Sequence, residues 1–318
     1  MASKKTLNAT NLAALGADRL AALLLEVTKG DAAAKRRLRL ELAGEESPAA
    51  MAREIGKRLG AIGRATGFVD WQGAKALIAD LEIQRRAIVE RLAPARPDLA
   101  FDLIWRLLTL SNGLYARADD SSGRLQDFFH GLGPDVVAIA EAAKPDPEDL
   151  VGRLAAGLPD DEWGHLSDLI EDLSPLLGPS GLDALKAQLS AQAGDDDSRF
   201  MLRAALAEIA DATGDVDAFI AQQTERSREM PAIAAQIANR LLDADRIDEA
   251  WAAIEAARKR RPGWASFEWE AARIRVFDAL GRPDEAQAFR WECFAQSLDA
   301  DHLRAYLKRL PDFEDTEG

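Results

Sequence analysis

The chain has 318 residues, 47% hydrophobic and 30% charged, so it can bury a sizeable core and does not read as disordered. Its one cysteine excludes an intramolecular disulfide, and its wealth of Ala, Leu, Arg, Asp and Glu favours helix almost throughout. The net charge of −14 is uneven: residues 1–100 hold 17 basic and 12 acidic side chains, 101–217 hold 8 and 23, and 218–318 hold 15 and 19, which argues against a nucleic-acid groove along the whole molecule.

In chain order, "TNLAALGADRLAALLLEVTKG" opens with a Thr/Asn cap and sets Leu12, Leu15, Leu20, Leu23, Leu24 and Val27 near one side at helical spacing, with Gly16 as punctuation. Gly30-Asp31 ends one helix and caps the next, which Gly44 closes. Ser47 then caps a helix with Pro48 at its first position. Within that helix Gly56, Gly60 and Gly63 predict a close crossing with a neighbouring soluble helix. "VDWQGAKALIADLEIQRRAIVERLAP" and "RPDLAFDLIWRLLTLSNGLYARA" are long helices, the second very apolar on one face. Residues 121–179 read as short helices between Gly-Pro breaks, with Asp and Glu crowding their first turns. "FVDW" and "DVVAIA" are the best β candidates, and both fit helix starts better. The acidic triplet Asp195–Asp197 predicts an exposed turn and a division into an N-terminal helical region (1–194) and a C-terminal array (195–318). No apolar run reaches a membrane span, and "MASKKTLNATNLAALG" has no apolar core before a cleavage site, so the expectation is a soluble, cytoplasmic protein.

From residue 198 onward, helix follows helix with short turns, which force neighbours antiparallel. "ATGDVDAF", "DADRIDEAW" and "ALGRPDEAQ" each give a turn, then acids, then a small residue early in a helix: Ala218, Ala250 and Ala286. A small residue there lets the second helix of a hairpin lie tight on the first. The pattern resembles the tetratricopeptide repeat, a unit of two antiparallel helices in about 34 residues. With Pro231 opening a unit, Ala250, Ala257 and Pro262 take its small-residue and terminal-Pro positions, Leu241 its first-helix aromatic position and Ile254 its large apolar one. The next unit keeps Phe277, Gly281 and Ala286, while Trp-Leu-Gly is absent from every first helix. The resemblance covers about a third of the chain and implies a right-handed solenoid-like stack of hairpins, preceded here by an N-terminal helical bundle. It also implies a binding surface lined by first helices, where Asn239 and Arg275 fall at equivalent inward positions with Asp243 close by. The whole chain is similar, too, to uncharacterised bacterial all-helical proteins of comparable length, a likeness that implies no activity.

Chemistry leaves few traces. His130, His165 and His302 lie far apart, and none has metal-ligand spacing on its helix. Beside Asp161, Glu162 and Asp168, His165 reads as an exposed helix start. Cys293 in "WECFAQSL" reads as a plain core thiol. "GLGPD" lacks the third glycine and preceding strand of a dinucleotide site, no nucleophile elbow occurs, and adjacent acid pairs point to different sides of a helix. Trp251, Trp264, Trp269 and Trp291 predict core packing in the last third. The expectation is an all-α, non-enzymatic helical-repeat scaffold for a protein or peptide partner, with no metal and no cofactor. One alternative is a nucleic-acid-associated regulator using a basic patch of Lys35, Arg36 and Arg39, extended by Arg85 and Arg86, against the plainer reading of arginines on solvated helix faces paired with Glu41, Glu82 and Glu90. The other is an enzyme whose composite pocket lies between the two regions.

Overall fold

A computed structural model describes residues 6–192, 196–258, 267–298 and 300–310. Among the described residues there is no β-strand, and extended pairing is confined to an isolated bridge between Val69 and Ala118, so the chain is all-α. It divides into two compact units, residues 1–181 and 182–318.

In the first unit the helices are α1 (Ala9–Ala13), α2 (Ala17–Val27), α3 (Ala32–Glu46), α4 (Pro48–Arg64), α5 (Trp71–Arg86), α6 (Pro97–Leu108), α7 (Ser111–Tyr115), α8 (Arg124–His130), α9 (Gly133–Ala143) and α10 (Pro147–Gly157). A π-helical turn, Ala87–Leu92, extends α5. Local chemistry sets several starts: the Asp31 carboxylate accepts from the amides of Ala33 and Ala34, and the Ser47 hydroxyl accepts from Ala50 N ahead of Pro48. The hub is α6. It is apolar on most of its circumference and buries Ala100, Phe101, Leu103, Ile104, Trp105, Leu107 and Leu108 against α4 and α9. The α4 glycines permit that approach, since a Cβ on Gly60 would lie 2.7 Å from the Arg106 guanidinium and one on Gly63 3.0 Å from Leu110.

The N-terminal segment departs from its sequence pattern. It breaks at Gly16, where φ is +82°, and Asn8 rather than Thr10 or Asn11 caps α1. Leu12, Leu15, Leu24 and Val27 stay exposed, while Leu20 and Leu23 are half-buried. Gly44 does not close α3, which continues to Glu46. Farther on, α11 (Leu169–Ala191) joins two segments that read as separate helices, with non-helical backbone at Gly178 before Pro179.

The second unit holds the end of α11, then α12 (Asp196–Thr213), α13 (Val216–Gln222), α14 (Glu225–Arg228), α15 (Pro231–Asp243), α16 (Ile247–Arg258), α17 (Phe267–Ala279), α18 (Pro283–Ser297) and α19 (Ala300–Leu307). Of the acidic triplet, Asp195 lies outside the described residues, as do Pro262, Trp264 and the tail 311–318. The recurrence in the sequence has a structural counterpart in the turns. Gly214, Asp245 and Gly281 each take positive φ, at +66°, +59° and +68°. The following amide reaches back in the same way each time: Asp215 N to Ala210 O (2.8 Å), Arg246 N to Leu241 O (2.8 Å) and Arg282 N to Phe277 O (2.9 Å). Each is a left-handed helix end that satisfies an orphan carbonyl and turns the chain back. Ala250 and Ala286, just beyond two of these turns, are fully buried, whereas Ala218 is half-buried. α15 packs on α16 and also on α17, and α17 packs on α16 and α18, so a first helix touches its own partner and the next first helix. Inside this core Arg273 is buried among the rings of Trp251, Trp269, Phe277 and Phe289, each 4.9–5.5 Å from its guanidinium carbon, and pairs with Glu255 at 3.2 Å. Of the described C-terminal tryptophans, Trp269 is core, Trp251 is half-buried and Trp291 is exposed.

Candidate functional site

Three candidate residues meet on the second unit. Asn239 and Asp243 are four residues apart on α15 and so share a face. Arg275 on α17 donates from one guanidinium nitrogen to Asn239 Oδ1 (2.7 Å) and from the other to Asp243 Oδ1 (3.0 Å). The Arg275 and Asp243 side chains keep 51% and 69% of their surface in solvent. A second arginine makes the preceding link: Arg240 of α15 forms a forked pair with Asp211 of α12 and lies 3.8 Å from the Phe219 ring centre. Arginine bridges therefore tie α12 to α15, part-buried, and α15 to α17, exposed to solvent.

The basic patch is only partly assembled. Arg36 and Arg39 line a pocket of about 230 Å³ with Lys57 and Arg58, while Lys35 is exposed and does not line it. Carboxylates occupy much of the charge: Asp80 holds Arg58 at 2.5 Å and Arg36 at 3.6 Å, and Glu54 holds Lys57 at 2.5 Å. Arg39 makes no ion pair among the described residues. Arg85 and Arg86 point elsewhere, to Asp135 (2.5 Å) and Glu82 (3.0 Å).

His165 overturns its sequence reading. Residues 161–168 form no helix start but a turn, in which the buried Asp161 carboxylate accepts from the amides of Leu166 and Ser167, both at 2.9 Å. That anchor drives the imidazole inward, where its Nε2 lies 2.9 Å from the Tyr115 hydroxyl and only 8% of the residue is exposed. Burial pushes the His165 pKa down against the pull of Asp161 and Asp168, and burial likewise raises the Asp168 carboxyl and the Tyr115 hydroxyl. A cleft of about 180 Å³ beside it collects His130, His165, Asp168 and Asp172, all within the first unit. Sequence spacing gave no signal for this, because the Tyr115 partner lies 50 residues away. His302 and Cys293, read separately in the sequence, are also buried and lie together with Glu270.

This molecule is thus an all-helical protein of two units, the second built on recurring hairpin turns. A family model matches residues 2–199 and 195–318, and the chain belongs to that family, a family of unknown function designated DUF6880. No curated protein and no solved structure matches the chain.

Proposed function

We propose that the protein is a non-enzymatic scaffold whose C-terminal hairpins, stacked as a right-handed tetratricopeptide-like array, hold a protein or peptide partner on their first helices. The observation that carries the reading is the Arg275 bridge: one exposed guanidinium spans two successive first helices and presents donors beside Asn239 and Asp243. Stacked hairpins offer an extended surface of that kind, and a mixed polar face suits an extended or helical peptide with charges of both signs. A cytoplasmic partner belongs to the same reading, and no described helix is long and apolar enough to cross a membrane. The test is affinity capture with wild type and with the triple variant Asn239→Ala, Asp243→Ala, Arg275→Ala, both checked for unchanged helicity. Loss of specific partners in the variant supports the scaffold, and an unchanged set of partners rejects it.

The pocket of Arg36 and Arg39 favours a second reading, an anionic ligand or nucleic acid on the first unit. Heparin retention that falls steeply with salt supports it; flow-through at low salt removes it.

A further inference from the structure

We propose that Glu270, Cys293 and His302 form a zinc site with three protein ligands. They come from three consecutive helices, α17, α18 and α19, and one donor atom from each lies within 4.8 Å of the other two. His302 Nε2 and Glu270 Oε2 are already in contact, at 3.0 Å. All three are withdrawn from solvent: Cys293 is 3% exposed, and the His302 and Glu270 side chains 8% and 17%.

The donor set narrows the metal. A thiolate with an imidazole and a carboxylate suits Zn²⁺, whereas Mg²⁺ and Ca²⁺ demand all-oxygen shells with more ligands. Zinc bonds of about 2.0–2.3 Å in a tetrahedron set donors about 3.5 Å apart, so the cluster must contract by roughly 1 Å at its widest. That is within the reach of side-chain rotation. Ionised Cys293 and Glu270 carry two negative charges, and with neutral His302 they cancel the cation, so the buried complex bears no net charge. Three protein ligands leave a fourth position for water.

Without metal, the imidazole and the carboxylate pair with each other at 3.0 Å beside the buried thiol, and the exposed Phe267 ring lies 5.5 Å from the His302 ring. The metal-free Cys293 thiol carries its proton at neutral pH, as an unactivated thiol does. Zinc binding must then displace that proton to solvent as the Zn–S bond forms. The bound ion would tie the short α19 to α17 and α18. No residue spacing announces such a site, since each helix supplies one ligand. The proposal is independent of partner binding on α15 and α17.

The test uses the full-length protein, stripped of metal by a chelator and titrated with ZnCl₂ by calorimetry and with CoCl₂ by absorption. The expected result is one Zn²⁺ per chain with Kd at or below about 1 μM, together with a thiolate-to-cobalt charge-transfer band and tetrahedral visible bands. Cys293 is the chain's one cysteine, so a thiolate band in wild type reports that residue without any variant. His302→Ala and Glu270→Gln should each weaken zinc at least about tenfold with helicity unchanged. A folded wild-type protein that gives no thiolate band overturns the proposal. So does zinc affinity that is equal in wild type, Cys293→Ser and His302→Ala, which would place the metal elsewhere.

Discussion

Ala250→Leu probes the packing on which the C-terminal unit depends. Ala250 has no exposed surface, sits five residues past the left-handed Asp245 and lies where α16 closes on α15. Leucine adds three heavy atoms within a buried cluster that also holds Ala238, Leu241 and Ile254. Overpacking of that kind costs about 1–3 kcal/mol. In a unit of this size each kcal/mol shifts the midpoint by roughly 3–4 °C, so a loss of about 3–12 °C is expected. Ala252→Leu, on the exposed side of the same helix, is the control and should stay within about 0.5 kcal/mol of wild type. Thermal circular dichroism gives the shift, and hydrogen exchange of peptides from residues 231–258 localises it to this unit. Equal stability of the two leucine variants would mean that small residues at this position do not set the hairpin spacing.

Asp245→Gly should gain up to about 1 kcal/mol, because relief of left-handed strain of about 1–2 kcal/mol outweighs the added freedom of the unfolded chain. Gly281→Ala should lose about 1 kcal/mol by the same strain, and urea midpoints that move the other way refute the shared turn. Burial lowers the His165 pKa, so the folded ring stays neutral while the unfolded ring takes up a proton below its ordinary value of about 6.5. That contribution is fully present above about pH 6.5 and is lost as pH falls from there towards the folded pKa. The urea midpoint should therefore drop between about pH 7 and 5 more steeply in wild type than in His165→Gln; identical slopes would remove His165 as the cause.

Helix ends were legible where a side chain caps its own neighbours, as Asp31 and Ser47 do, since that chemistry is complete within a few residues. The hairpin recurrence was legible for the same reason: turn, acid and small residue follow one another in "DADRIDEAW" and "ALGRPDEAQ". That Asp245 takes the conformation of Gly214 and Gly281 was hidden, because aspartate carries no unique signature of positive φ. Asn239, Asp243 and Arg275 were chosen through an assumed register between hairpins, and the three side chains are hydrogen-bonded together. His165 was misread because its partner Tyr115 and its anchor Asp161 act through the tertiary fold, and spacing alone makes a histidine among acids look solvated. The exposed leucines of α1 and α2 carry the opposite lesson: helical periodicity shows which side is apolar, not whether anything covers it.

The scaffold reading is tested most directly by placing a photo-reactive side chain at Gln236, exposed on α15 one turn before Arg240, and separately at Ala252, exposed on α16. Illumination in intact cells should give a discrete adduct from position 236 that disappears when Arg275→Ala is added, and none from position 252. Adducts from position 252 alone, or adducts from 236 that Arg275→Ala leaves unchanged, would contradict a partner seated on the first helices.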